Sequence, residues 1–357
     1  MEKRITGLDL ARALAIFGMI IVNFKLAMHA EHGSAILQWF SALFEGRASA
    51  LFVILAGVGI TLLTNKARLS ADSVSHIKAR KSLLKRGALL IFTGLLYTPI
   101  WEADILHFYG FYFILAAILF TSSNRGLLIS TITVLLSFPV LMIFFNYEDG
   151  WNWATLTYEN IWNTESMIRH IFFNGFHPVF PWCSFLLLGM WLGRQDLSNP
   201  LLRRKLLGYS ALTWIACESV FFMLRSVIRG KGIITEEEIN FLLSTSMIPP
   251  LPQYIISAGS SALIILIMAI YIAEKLPKNH IIGWLSQTGK LSLSIYVAHV
   301  IIGMGLLEAF GKLENQSIEY SLLSSALFFT ASVVFSVIWL KFFRYGPLEW
   351  LFRKFAS

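Results

Sequence analysis

The feature that most constrains this chain is a succession of ten long apolar runs, at 10–28, 48–64, 84–101, 106–121, 126–145, 178–193, 206–224, 254–273, 290–310 and 321–341. Each approaches the roughly 20 residues that an α-helix needs to cross a bilayer. In hydrocarbon every backbone N–H and C=O must be satisfied within the segment, so repeated apolar runs of this length spell helices. Composition agrees: 56% of residues are hydrophobic and 14% are charged. Too little charge is present to cover a soluble protein of 357 residues, since soluble domains carry about 25%. The reading is an all-α, polytopic integral membrane bundle of about ten transmembrane helices, with 1–357 forming a single domain.

The net charge of +8 follows from topology and does not call for nucleic acid. With the N-terminus inside, most Lys and Arg fall on one side. Lys3, Arg4 and Arg12 precede or open the first span, Lys66, Arg68, Lys78, Arg80 and Lys81 lie between the second and third, and Lys85 and Arg86 open the third. Glu31, Glu45, Glu102, Asp104, Glu148 and Asp149 fall on the other side. By the positive-inside rule this predicts both termini in the cytoplasm of a multi-pass plasma-membrane protein. Cys183 and Cys217 sit in apolar runs without metal or disulfide spacing, as small buried apolar residues do. The loop 146–177 contains Trp151, Trp153 and Trp162, which suit a helix lying at the membrane interface or contacts to a sugar.

Ionisable and amide groups inside a membrane are costly and mark sites by default. His299 falls near mid-depth of the ninth run, seven residues after Ser292. A neutral imidazole there suits a general base or a ligand contact, or else glues two helices together. Asn23, toward the outer end of the first run, offers a donor and an acceptor. Asp9 and Arg12 are three apart on one helical face, as a local ion pair or as an anchor for an anionic ligand. Arg47 opens the second run within FEGRASALF. Five of the eight histidines, His29, His32, His107, His170 and His177, fall on the outer side. Asp104 precedes His107 by three residues, a spacing at which a carboxylate orients an imidazole. His177 stands at the mouth of the sixth run. No HExxH, GxSxG or phosphate-binding glycine loop occurs, and no metal is expected.

Five segments, GLDLARALAIFGMIIVNF (7–24), FEGRASALFVILAGVGITLL (44–63), HPVFPWCSFLLLGMWLGR (177–194), TGKLSLSIYVAHV (288–300) and FRYGPLEWLFR (343–353), carry a resemblance. Together they resemble the YeiB-like bacterial transmembrane proteins, distantly similar to the heparan-α-glucosaminide N-acetyltransferases. The resemblance implies a membrane-embedded acyltransferase that moves an acetyl or other acyl group from cytoplasmic acyl-CoA to an amine or hydroxyl of an extracytoplasmic sugar or glycan. It implies catalytic roles for Asn23 and for a histidine in the following loop, His29 or His32, beside His299. Arg47 matches a GR motif, and substrate contacts extend to Asp104, His107 and His177. Asp9, Arg12 and Arg86 are the candidates for the CoA side. The expected partners are acetyl-CoA as co-substrate, the sugar acceptor and membrane lipids; a homodimer is left open, and nucleic acid is not expected. The competing readings are a transporter or exporter of a polar or lipid-linked solute, which also needs polar groups at mid-depth, and a non-catalytic assembly partner.

Overall fold

The computed structural model describes residues 5–229, 231 and 235–356. Lys3 and Arg4, used above for the charge asymmetry, lie outside the described residues. The helices in chain order are α1 (Thr6–Ala27), α2 (Ala35–Ala42), α3 (Arg47–Leu69), α4 (Ser73–Tyr97), α5 (Leu106–Leu119), α6 (Asn124–Phe144), α7 (Thr164–Arg169) and α8 (Val179–Leu192). They continue with α9 (Pro200–Ile228), α10 (Glu236–Leu243), α11 (Pro252–Lys275), α12 (His280–Lys290), α13 (Ser292–Ala298), α14 (Gly305–Ala309), α15 (Ile318–Phe342) and α16 (Pro347–Ala356). Two π-helical segments, His170–Asn174 and His299–Met304, follow α7 and α13 directly. The strands β1 (Trp151–Asn152) and β2 (Thr157–Tyr158) pair antiparallel.

Helix starts carry the chemistry expected of them. The Asp72 side chain accepts from the N–H groups of Val74 and Ser75, Asn199 caps α9 ahead of Pro200, and Thr235 and Glu238 form a reciprocal capping box on α10. Each cap satisfies N–H groups that have no partner within the helix.

Among the described residues, seven helices are long and apolar enough to cross a membrane, or eight if the bent pair Thr164–Asn174 and Val179–Leu192 is one span. This makes the chain a multi-pass membrane protein with seven or eight candidate spans, where the apolar runs suggest about ten. The expected span at 84–101 belongs to α4, whose first half carries Lys78, Arg80, Lys81, Lys85 and Arg86. The span at 106–121 is α5, only 14 residues long. At 1.5 Å per residue α5 reaches about 21 Å, short of a hydrocarbon core of about 30 Å. The span at 178–193 is the second arm of the pair, which bends by 47°. The segment 146–177 is a strand pair, a short helix and a π segment, not one interfacial helix. Its Trp151 is buried, stacked on Trp153 at 4.8 Å between ring centroids.

The described residues within 1–52 and 261–354 form one compact unit, and those within 53–260 and 355–357 form another. In the first, α1 packs on α12 and α15. In the second, α4 packs on α5, and α8 on α5 and α6. There the backbones of α3 and α8 touch. A Cβ on Gly57 would strike Leu186 O and come within 2.7 Å of Met190 N, and one on Gly189 would strike Ile54 O. Thr61 Oγ1 donates to Met190 O at 2.8 Å across the same crossing. Small residues are what let membrane helices approach so closely.

Candidate functional site

In the first unit the polar groups named from sequence divide into three sets. The innermost is Asn23 with His299. Asn23 sits near the C-terminal end of α1, and His299 opens the π segment after α13. The two side chains meet at 2.8 Å, Asn23 Nδ2 to His299 Nε2. His299 Nδ1 faces the carbonyl of Tyr296 in its own helix. A carbonyl only accepts, so Nδ1 carries the proton and Nε2 presents a lone pair to the donating amide of Asn23. The imidazole is fully buried, between Phe24 at 6.5 Å and Tyr296 at 5.0 Å between ring centroids. A π segment widens the turn by one residue, and such insertions concentrate at functional sites. Chemically the pair is a base with a fixed tautomer and an amide that donates beside it.

The second set is Asp9 and Arg12. Arg12 donates to the buried Asp9 carboxylate at 2.6 Å, an i,i+3 ion pair on α1. The third lies around α2. Arg47 donates to Ser261 Oγ at 3.3 Å, and Lys25 pairs with Glu45 at 2.8 Å. His29 and His32 are exposed in the turn after α1, His29 with a positive φ of 45°. The carbonyl of His32 accepts from Ile318 N at 3.0 Å. The structure therefore seats Asn23 against His299 and places both loop histidines on the surface.

The second unit gathers a different set. Asp104 Oδ2 accepts from Leu106 N at 2.8 Å and from His107 Nδ1 at 3.2 Å, the orienting contact that the spacing of three suggests. The His107 ring lies 5.8 Å from that of His170, and the His177 ring 4.6 Å from Trp182. Tyr112 donates to the His177 carbonyl at 2.6 Å. Asn174 ties the neighbouring segments together: it accepts from Tyr158 Oη at 2.9 Å and donates to the Tyr147 and Asp149 carbonyls at 2.8 Å. Yet His170 Nε2, His177 Nδ1, Trp182 Nε1 and Ser184 Oγ are buried with no hydrogen-bond partner among the described residues. Each such atom costs about 1–3 kcal/mol. His170 was not singled out from sequence. Its signal was only its membership of the outer histidines; burial against Phe108, Trp151 and Tyr158 comes from the fold. Among the described residues, no three His, Cys, Asp or Glu side chains are grouped to share a metal ion. Arg86, the remaining candidate, lies on α4 in this unit.

A multi-pass helical membrane protein holding an imidazole–amide pair among apolar side chains is the class that fold and site define. The family follows from comparison. A family model described as "Heparan-alpha-glucosaminide N-acetyltransferase, catalytic" matches residues 4–226, and the chain belongs to that family. Residues 251–357 match a second model, a protein family of unknown function, DUF418. The chain is 22% identical to the uncharacterized protein YxaH of Bacillus subtilis over 99% of its own length and 94% of that protein. Asn23 lies within the first matched region and His299 within the second, so the 2.8 Å contact joins the two.

Proposed function

We propose that the protein is a membrane-embedded acetyltransferase that moves an acetyl group from acetyl-CoA to an amine or hydroxyl of a sugar or glycan, with His299 as general base. One observation carries this reading: the contact of Asn23 Nδ2 with Nε2 of the buried His299, made while Nδ1 is held on the Tyr296 carbonyl. For transfer the acceptor's N–H or O–H replaces the Asn23 amide at Nε2; its nucleophile attacks the thioester carbonyl as Nε2 takes that proton, and coenzyme A leaves as the thiol on receiving the proton from Nε2. A base of this kind contributes roughly 10²- to 10⁴-fold. The second amide hydrogen of Asn23 suits the oxyanion that develops on the carbonyl oxygen. Membership of a family described by its N-acetyltransferase catalytic region supports the reaction class, and the family's name points to an amine acceptor.

Asp104, His107 and His177, with His170 added, are assigned to binding a hydroxyl-bearing ligand. Neutral imidazoles, an indole N–H and a serine hydroxyl offer donors and acceptors without net charge. Asp9, Arg12 and Arg86 are assigned to the CoA side, where guanidinium groups suit phosphates. Both termini are placed in the cytoplasm of a plasma-membrane protein on the charge asymmetry.

Purified protein in detergent, given radiolabelled acetyl-CoA and D-glucosamine as the probe amine, is expected to release free CoA and acetylated amine. The His299→Ala variant is expected to lose both. Absence of acetyl-CoA binding in the wild type would return the reading to an exporter. For sidedness, a Lys81→Cys variant in intact cells is expected to resist a membrane-impermeant thiol reagent, and labelling from outside would invert the topology.

A further inference from the structure

The motif FRYGPLEWLFR, one of the five that carry the resemblance, has no part in the chemistry described so far. Its Glu349 does something specific. The ninth apolar run begins at a break between two helices. α12 ends at Lys290, and Leu291 leaves helical geometry at φ −104°, ψ 22°. From Ser292 the chain winds again as α13, the π segment and α14, a stretch of 18 residues to Ala309. A break of this kind frees backbone N–H groups, and within a membrane such groups need a partner from elsewhere in the protein.

Glu349 is that partner. Its Oε1 accepts from Leu293 N at 2.8 Å and from Ser294 N at 3.1 Å. Its Oε2 accepts from the Ser294 hydroxyl, whose oxygen in turn accepts from Leu348 N at 3.0 Å. Leu293 and Glu349 are 56 residues apart in sequence, so the cap is long-range. Burial raises the Glu349 carboxyl above its ordinary pKa, and the hydrogen bonds from Ser294 pull in the opposite direction. A partly desolvated carboxylate held by three donors is fixed in position by all three.

What the cap positions is His299. From Ser294 it is five residues along one helical stretch, about 7.5 Å at 1.5 Å per residue. A shift at the restarted helix end is therefore transmitted to an imidazole whose contact with Asn23 has little tolerance. We propose that Glu349 is a positioning residue for transfer, fixing the start of the helix that carries His299 so that Nε2 stays on Asn23. The inference rests on the reading of His299 as the general base.

The test is a double-mutant cycle of Glu349→Ala and His299→Ala, read as acetyl transfer from acetyl-CoA to D-glucosamine, with a side-chain ¹³C/¹⁵N signal of His299 recorded alongside. Glu349→Ala is expected to lower kcat about 10- to 100-fold, the worth of hydrogen bonds to a charged group, with the KM for acetyl-CoA near that of the wild type. Glu349→Gln keeps the Oε1 acceptor and is expected to restore most of kcat. The double variant should be no slower than His299→Ala alone, because residues acting as one unit are non-additive. The His299 signal should move in Glu349→Ala and return in Glu349→Gln, a readout independent of the acceptor. If Glu349→Ala does not accumulate in membranes, Glu349→Asp replaces it, since one methylene less cannot reach both N–H groups. Full turnover with an unmoved His299 signal in these variants overturns the positioning role, and additive losses in the double variant do so as well. If His299→Ala itself turns over normally, the base assignment fails, while the His299 signal still decides whether Glu349 positions that ring.

Discussion

Each unit of the molecule contains a π-helical segment opened by a buried histidine, His299 in one and His170 in the other, and the two are treated in opposite ways. Both ring nitrogens of His299 are engaged, one by the Tyr296 carbonyl and one by the Asn23 amide. His170 leaves Nε2 without a partner among the described residues, and His177, Trp182 and Ser184 nearby in sequence do the same with Nδ1, Nε1 and Oγ. Buried polar groups in native proteins are nearly always paired. The first arrangement is complete and tightly specified, so the ring is held in one orientation and one tautomer. The second holds several unanswered donors and acceptors, as suits a surface whose counterpart is a ligand.

The largest effect that distinguishes them concerns turnover. His299→Ala is expected to reduce acetyl transfer by roughly 10²- to 10⁴-fold in a radiolabelled acetyl-CoA assay. His299→Gln, which hydrogen-bonds but takes up no proton near neutral pH, should fall almost as far. A Gln variant with near-full activity would reduce His299 to a packing or positioning group. Next is Asn23→Leu, which leaves Nε2 buried and unanswered. Loss of a buried partner costs about 1–3 kcal/mol, so the thermal midpoint in detergent should drop by several degrees while turnover falls. An unchanged midpoint would say that the pair is not the rigid element described above.

The converse holds for His170→Phe. Removing an unpaired buried polar group in favour of an apolar one of similar shape is nearly neutral or stabilising. The midpoint should stay or rise, while binding of a hydroxyl-bearing probe such as D-glucosamine, followed by tryptophan fluorescence, weakens about tenfold, the worth of roughly one hydrogen bond. A large fall in stability with intact binding would make His170 an ordinary core residue. The smallest expected effect is at Arg12. Partly exposed ion pairs contribute about 0–1 kcal/mol, so Arg12→Ala should raise the KM for acetyl-CoA only a few-fold. No change at all would leave the Asp9–Arg12 pair as local helix support.

Much of this was legible in the chain. Apolar length marked the helices, and the cost of polarity in a membrane marked Asn23 and His299 individually. Their contact was not legible, because it joins residues 276 apart and depends on a π segment that hydropathy does not reveal. The pairing of Asp104 with His107 was readable, being set by a local spacing of three. His170 and Glu349 were not. A buried histidine and a loop histidine look alike in sequence, and Glu349 lies in an amphipathic stretch where a carboxylate is ordinarily solvated. The difference in span count has a local origin: the helix holding the run 84–101 begins at Ser73 and takes in the cationic stretch ahead of that run, and the run 106–121 gives a helix of only 14 residues.

The capping of α13 from α16 also has a consequence for biosynthesis. A ribosome delivers Leu293 and Ser294 well before it delivers Glu349. At a usual elongation rate of about 5–20 residues per second, the intervening 56 residues take several seconds. During that interval the restarted helix lacks its carboxylate and the seat of His299 is unfinished. On the positioning role proposed for Glu349, a nascent chain that already holds both Asn23 and His299 is still without the cap that seats the imidazole.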